Sequence, residues 1–125
     1  MDFINVSVDS RMAHIYMDRG KSNPLNQQML VELGQVLDDT QTDPAIEGII
    51  LHGKEGFFSA GLDLIELYTC DEIASRNWWQ TFVDLVCRFV AFDKPAIAAV
   101  SGHSPAGGCV LALCCDYRVM IRGDF

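Results

Sequence analysis

Positive charge is scarce in this chain: nine Lys and Arg stand against 17 Asp and Glu, for a net charge of −8. A nucleic-acid partner needs a basic face to displace counterions from phosphates, so no such partner is expected. No apolar run is long enough to span a bilayer, and Met1-Asp2-Phe3-Ile4-Asn5 carries neither a basic leader nor a long apolar stretch. No membrane partner and no secretory signal are expected. There is no Cys-x-x-Cys, and His14, His52 and His103 lack the spacing of a metal site. No metal is therefore expected. The five cysteines, Cys70, Cys87, Cys109, Cys114 and Cys115, are an odd number, and three of them lie in one apolar run. They read as reduced thiols in a soluble, cytoplasmic protein, with Cys109, Cys114 and Cys115 as small core hydrophobes. Gly-x-Gly-x-x-Gly and the Walker A pattern are both missing, which removes those two routes to nucleotide phosphates.

What is present is the material of a folded domain. Half of the 125 residues are hydrophobic and 21% are charged, and the length fits one domain over residues 1–125. Phe3 to Val8 and Met12 to Met17 alternate in polarity around Asp9-Ser10-Arg11, the pattern of a β-hairpin. A polar loop, Asp18 to Asn26, leads into a helix carrying Met29, Leu30, Leu33, Val36 and Leu37. Asn26 is placed to cap this helix, and Asp43-Pro44 to end it. Gly48 to Leu51 and Ala96 to Val100 are short, continuous apolar runs, the signature of buried parallel strands. Between them a helix is expected over Asp71 to Phe92, with Ala74, Trp78, Phe82, Leu85, Val86, Phe89 and Val90 on one broad face. Trp78 reads as core. A short apolar helix over Gly108 to Cys115 and a strand over Tyr117 to Ile121 complete an α/β layering.

Two loops have the composition for chemistry. Phe58-Ser59-Ala60-Gly61-Leu62-Asp63-Leu64 follows one buried strand. Ser101-Gly102-His103-Ser104-Pro105-Ala106-Gly107-Gly108 links the other to a helix. Small residues let backbone approach a ligand, and N–H groups at a helix start carry partial positive charge. Two such loops can each direct one N–H at a single oxygen, which stabilises an enolate formed from a carbonyl. Gly102 to Ala106 also mimics part of a Gly-x-Ser-x-Gly nucleophile elbow, but Ala106 stands where that motif needs its second glycine. His103 fits a loop-positioning role better than that of a base. Asp63 fits either a cap on the following turn or a ligand contact.

Taken together, Phe58 to Leu64, Ser104-Pro105-Ala106-Gly107-Gly108-Cys109 running on to Cys115-Asp116-Tyr117-Arg118, and Ser22-Asn23-Pro24-Leu25-Asn26 resemble the enoyl-CoA hydratase/isomerase (crotonase) family in order and spacing. The likeness is greatest to its Δ3,Δ2-enoyl-CoA isomerases. The resemblance implies an α/β fold with a crotonase-like ββα spiral core, this chain being the N-terminal half. It implies the backbone N–H groups of Leu62 and Gly107 as an oxyanion hole. It also implies Pro24, Leu25, Ser59, Ala60, Gly61, Leu62, Asp63, Leu64 and Gly107 as residues contacting an acyl-CoA substrate. No separate cofactor is implied, since coenzyme A is part of the substrate. Fatty acid beta-oxidation, a mitochondrial matrix location in a eukaryote and a trimer-based homo-oligomer are implied likewise.

The family's hydratases carry a glutamate where this chain has Val110, which favours isomerisation over hydration. The resemblance places the isomerase base just beyond the strand that begins near Tyr117. None of Glu32, Glu47, Glu55, Glu66 or Glu72 matches a family catalytic position. The expectation is thus a chain truncated before its base and slow or inactive alone. Another crotonase reaction and a non-catalytic acyl-CoA-binding module stay open as alternatives.

Overall fold

The computed structural model describes residues 1–124; Phe125, the last residue of the expected domain, lies outside them. Strands β1 (Ile4–Asp9) and β2 (Met12–Met17) form the expected hairpin. The two residues between them, Ser10 and Arg11, have φ of 51° and 66°. Positive φ at both centres is the geometry whose twist matches that of the paired strands. A two-residue strand β3 (Pro24–Leu25) then precedes helix α1 (Gln27–Thr42). Asn26 caps α1, its side chain accepting the Met29 N–H at 2.9 Å.

Strand β4 (Gly48–His52) follows, then two short strands, β5 (Gly56–Phe57) and β6 (Gly61–Leu62), and a five-residue helix α2 (Leu64–Tyr68). The long helix α3 (Glu72–Ala91) leads to β7 (Ala96–Val100) and a short strand β8 (Gly102–His103). Helix α4 (Gly107–Cys114) and strand β9 (Tyr117–Met120) complete the order.

The main sheet runs β1-β2-β4-β7-β9, antiparallel at the hairpin and parallel elsewhere. The expected parallel pairing of the two apolar runs is present, with Leu51 opposite Ala98. One face of the sheet is closed: Ala13, Ile15, Met17, Ile49, Leu51, Ala96 and Ala98 join Leu33, Trp78 and Phe89 in one core. Lys94, which separates α3 from β7, also fastens α1. Its Nζ donates to the carbonyls of Thr40, Asp43 and Ile46 at 2.7–2.8 Å. A cation on those carbonyls satisfies acceptors that the helix end leaves open.

Helix α3 departs from its expected face. Trp78, Leu85 and Phe89 are buried, whereas Ala74 is exposed and Val90 is 70% exposed. The buried stripe is narrow because α3 meets the core along one line, so apolar residues on its flanks stay outside. Trp78 is fully buried and Trp79 is 47% exposed. The cysteine expectation also needs correcting. Cys115 is buried, but Cys109 is exposed on the first turn of α4 and Cys87 is exposed on α3. Burial pushes the Cys115 thiol up to about 12, with Cys114 and Asp116 adding to it, so this thiol stays protonated and inert.

Candidate active site

Strands β2, β4 and β7 are parallel, so the chain segments that follow them emerge at one edge of the sheet. Ligands of parallel α/β sheets bind at that edge. Here three segments meet: residues 18–26, 53–63 and 101–106. The sequence marks them as loops, but in the structure they are tied by two miniature parallel ladders. β3 pairs β6, with Leu25 opposite Leu62, and β5 pairs β8, with Phe57 opposite His103. Two-residue ladders leave no apolar period to read, which is why sequence alone missed them.

Glycine is what lets the segments touch. A methyl group added at Gly61, whose φ is +100°, would stand 3.0 Å from the Gly107 nitrogen. One added at Gly107 would stand 3.3 Å from the Leu62 nitrogen, and one at Gly108 would run into the Ser59 carbonyl. The amides of Leu62 and Gly107 are therefore near neighbours. In the β3–β6 ladder the Asp63 N–H donates to the Leu25 carbonyl at 2.8 Å. Alternate amides of a strand face opposite edges, so the Leu62 N–H is turned away from β3. Gly107 is the first residue of α4, where an amide has no acceptor within its own helix. Two neighbouring donors, one on β6 and one at the start of α4, can hold one oxygen that gains negative charge.

The expected contact residues divide into two groups. Pro24, Ala60 and Leu62 are half-buried, and Leu64 is exposed at the start of α2. Leu25 and Ser59 have no exposure at all. Ser59 turns inward, its hydroxyl donating to the Asn23 carbonyl at 2.8 Å and accepting the Gly61 N–H at 3.1 Å. Asp63 takes the capping role, accepting N–H groups from Ile65 and Glu66 at 3.1 Å. Its other oxygen meets the Arg19 guanidinium at 2.8 Å. Burial pushes the Asp63 carboxyl up, but the Glu66 amide, the Arg19 guanidinium and the Ile65 amide outweigh it, and the net shift is downward.

His103 holds its loop through backbone, its carbonyl accepting the Phe58 N–H at 2.9 Å, while its ring lies 4.9 Å from that of Phe57. Cys115-Asp116-Tyr117-Arg118 also has structural duties. Asp116 exchanges hydrogen bonds with the Ala96 backbone, and Arg118 donates to the carbonyls of Ala112 and Cys115 at the end of α4. Val110 lies on α4 and is 37% exposed.

Four of the five glutamates are engaged in hydrogen bonds or ion pairs. Glu66 accepts from Gln27 and Trp78, Glu32 from the Phe3 amide, and Glu47 and Glu72 pair with Arg11 and Arg76. Glu55 is exposed. Among the described residues no group of three or more His, Cys, Asp or Glu side chains is placed to hold a metal ion. No helix among them is long and apolar enough to cross a membrane.

A family model described as enoyl-CoA hydratase/isomerase matches residues 8–123. Mouse mitochondrial enoyl-CoA delta isomerase 1 is 41% identical over 99 residues, covering 78% of this chain and 34% of that protein. The 2,3-dehydroadipyl-CoA hydratase of Escherichia coli is 37% identical over 125 residues, covering 99% of this chain and 48% of that protein. The crystal structure of human mitochondrial delta3-delta2-enoyl-CoA isomerase superposes with a TM-score of 0.88 at 32% identity, over 92% of this chain and 46% of that one. This chain thus spans between a third and a half of the length of these relatives.

Proposed function

Because the chain belongs to the enoyl-CoA hydratase/isomerase family and has its crotonase fold, we propose that it acts on unsaturated acyl thioesters of coenzyme A, shifting a double bond from Δ3 to Δ2. In this reading a base removes a proton from C2 of the acyl chain. The electron pair passes onto the thioester oxygen, which the Leu62 and Gly107 amides receive, and a proton returned at C4 leaves the double bond between C2 and C3. One oxyanion-hole donor is worth about 3 kcal/mol of transition-state stabilisation. Coenzyme A enters as part of the substrate, and no separate cofactor is invoked.

The observation that carries isomerisation over hydration is Val110. It occupies the α4 position where the family's hydratases carry a glutamate, and an apolar side chain cannot deprotonate a water. A single base suffices for a double-bond shift. None of the chain's five glutamates stands at a position where the family carries its base, so we assign the base to a carboxylate outside these 125 residues. The proposal extends to a place in fatty acid beta-oxidation and to a homo-oligomeric assembly.

Hydration is the second reading, favoured by the Escherichia coli hydratase matching over 99% of the chain. Supplying a 3-enoyl-CoA and a 2-enoyl-CoA in parallel to a protein in which these residues are joined to the segment carrying that carboxylate separates the two. Isomerisation raises the absorbance of the conjugated thioester from the first; hydration lowers it from the second. Binding without either change supports an acyl-CoA-binding role and overturns both.

A further inference from the structure

We infer that Asn23 is a positioning residue for the amide pair, holding the Leu62 N–H in place through hydrogen bonds on both sides of it; the inference rests on the proposed function of that pair. Asn23 has no exposure and a φ of 55°. Both polar atoms of its side chain are bonded. Nδ2 donates to the carbonyls of Met17 at 2.9 Å and Phe58 at 3.1 Å, and Oδ1 accepts the Arg19 N–H at 2.8 Å. One side chain thereby ties the end of β2 to the start of the 58–64 segment.

From Asn23 two chains of contacts reach either flank of Leu62. On one flank, the Asn23 carbonyl accepts the Ser59 hydroxyl, whose oxygen accepts the Gly61 N–H. On the other, Arg19, whose amide Asn23 holds, donates its guanidinium to the Pro24 carbonyl at 2.9 Å and the Asp63 carboxylate at 2.8 Å. The Asp63 N–H is itself fixed on Leu25. With the amides before and after it pinned, the Leu62 N–H has little freedom to swing. Its direction is set before any ligand arrives, which is the condition under which a donor stabilises a developing charge without reorganising.

A buried asparagine at positive φ also has a purely structural explanation, since asparagine tolerates that conformation. Asn23→Gly separates the two roles, because glycine keeps the backbone, including the carbonyl that accepts the Ser59 hydroxyl, and deletes the three side-chain hydrogen bonds to Met17, Phe58 and Arg19. Ser59→Ala cuts only the link to Gly61. Val36→Ala, in the core on α1 and away from the loops, serves as a destabilised control. The probe is a para-dimethylaminocinnamoyl thioester of coenzyme A, whose absorption moves to the red when its carbonyl is hydrogen-bonded. It is compared at saturation, with thermal melting measured alongside.

The expected result is a red shift on the wild type and on Val36→Ala, cut to about half or less on Asn23→Gly and Ser59→Ala, with probe affinity within about threefold. An unchanged shift on a folded Asn23→Gly overturns the inference. So does a shift that falls equally on Val36→Ala, loss of probe binding in both loop variants, or failure of both to fold. Absence of any shift on the wild type overturns the function proposed for the amide pair, which is a separate outcome.

Discussion

The indole N–H of Trp78 donates to the Glu66 carboxylate at 2.7 Å, and the same oxygen accepts the Gln27 amide at 2.8 Å. One carboxylate therefore joins α2, the first turn of α1 and the middle of α3. It also lies at a helix N-terminus, where negative charge is favoured. Helix α2 buries none of its residues fully, Leu67 packing partly against the core, so this contact and the Asp63 cap contribute to holding it in place. Glu66→Ala leaves the indole N–H of a fully buried tryptophan and a helix-start amide without acceptors. The expected loss is about 1–3 kcal/mol in urea unfolding, with Glu66→Gln losing less because it keeps an acceptor. An unchanged midpoint for the alanine variant means that neither bond matters.

The pair His14 and His52 makes stability depend on pH in a defined direction. His14 Nδ1 lies 2.9 Å from His52 Nε2, and the Tyr16 ring stacks on His52 at 4.4 Å. Burial, and then the neighbouring His14, hold the His52 pKa below its usual value. A histidine held low is best accommodated uncharged. Its contribution is complete above the unfolded value of about 6.5 and is lost as pH falls through the lower folded value. Melting temperature should therefore drop as pH is lowered from about 6.5, in a range where carboxylates are still ionised. His52→Asn should flatten that slope. An equal slope in the variant assigns the effect to another group.

The large elements were legible because each carried a signal of its own. Asn26 before an apolar stripe marked the start of α1, and the uninterrupted runs at Ile49–Leu51 and Ala96–Val100 marked two parallel strands. The β3–β6 and β5–β8 ladders were not legible, because pairing of two residues arises from tertiary approach rather than from local preference. The Asp63 cap was legible from its place before α2, whereas its ion pair with Arg19, 44 residues away, was not. The exposure of Val90 was likewise invisible, since periodicity marks an apolar face without saying whether anything lies on it.

Gly107 and Gly108 should respond differently to alanine. At Gly108 the added methyl meets the Ser59 carbonyl, which belongs to the backbone and cannot turn aside. At Gly107 its tightest contact, at 3.0 Å, is the Leu62 Cδ2, the end of a flexible side chain. Gly108→Ala is therefore expected to cost about 1–3 kcal/mol, as overpacking does. Gly107→Ala should cost less, yet it puts a methyl 3.3 Å from the Leu62 nitrogen, so it should weaken acyl-thioester polarisation more than its stability loss suggests. Thermal melting and the chromophoric thioester, read on the same samples, check both statements. Equal losses of stability in the two variants would contradict this reading of the contacts.

Ala106 supplies the last test, because its backbone is one that glycine adopts far more readily. Its φ is 50° and its ψ is −121°, and no side chain caps the helix it precedes. A non-glycine residue in such a region costs about 1–3 kcal/mol. The conformation turns the Ala106–Gly107 peptide so that α4 begins beside Leu62, while the Ala106 carbonyl accepts the Val110 N–H at 3.1 Å. Glycine at this position relieves the strain but loosens the unfolded chain, which returns about 0.5–1 kcal/mol of the gain. The net expectation for Ala106→Gly is a small rise in melting temperature. Ala106→Val should lower it, since branching at the β-carbon adds to the clash at positive φ. The strain reading requires the order Gly, then Ala, then Val. If the glycine variant melts below the wild type, Ala106 is not strained in solution, and the start of α4 has a different backbone from the one described.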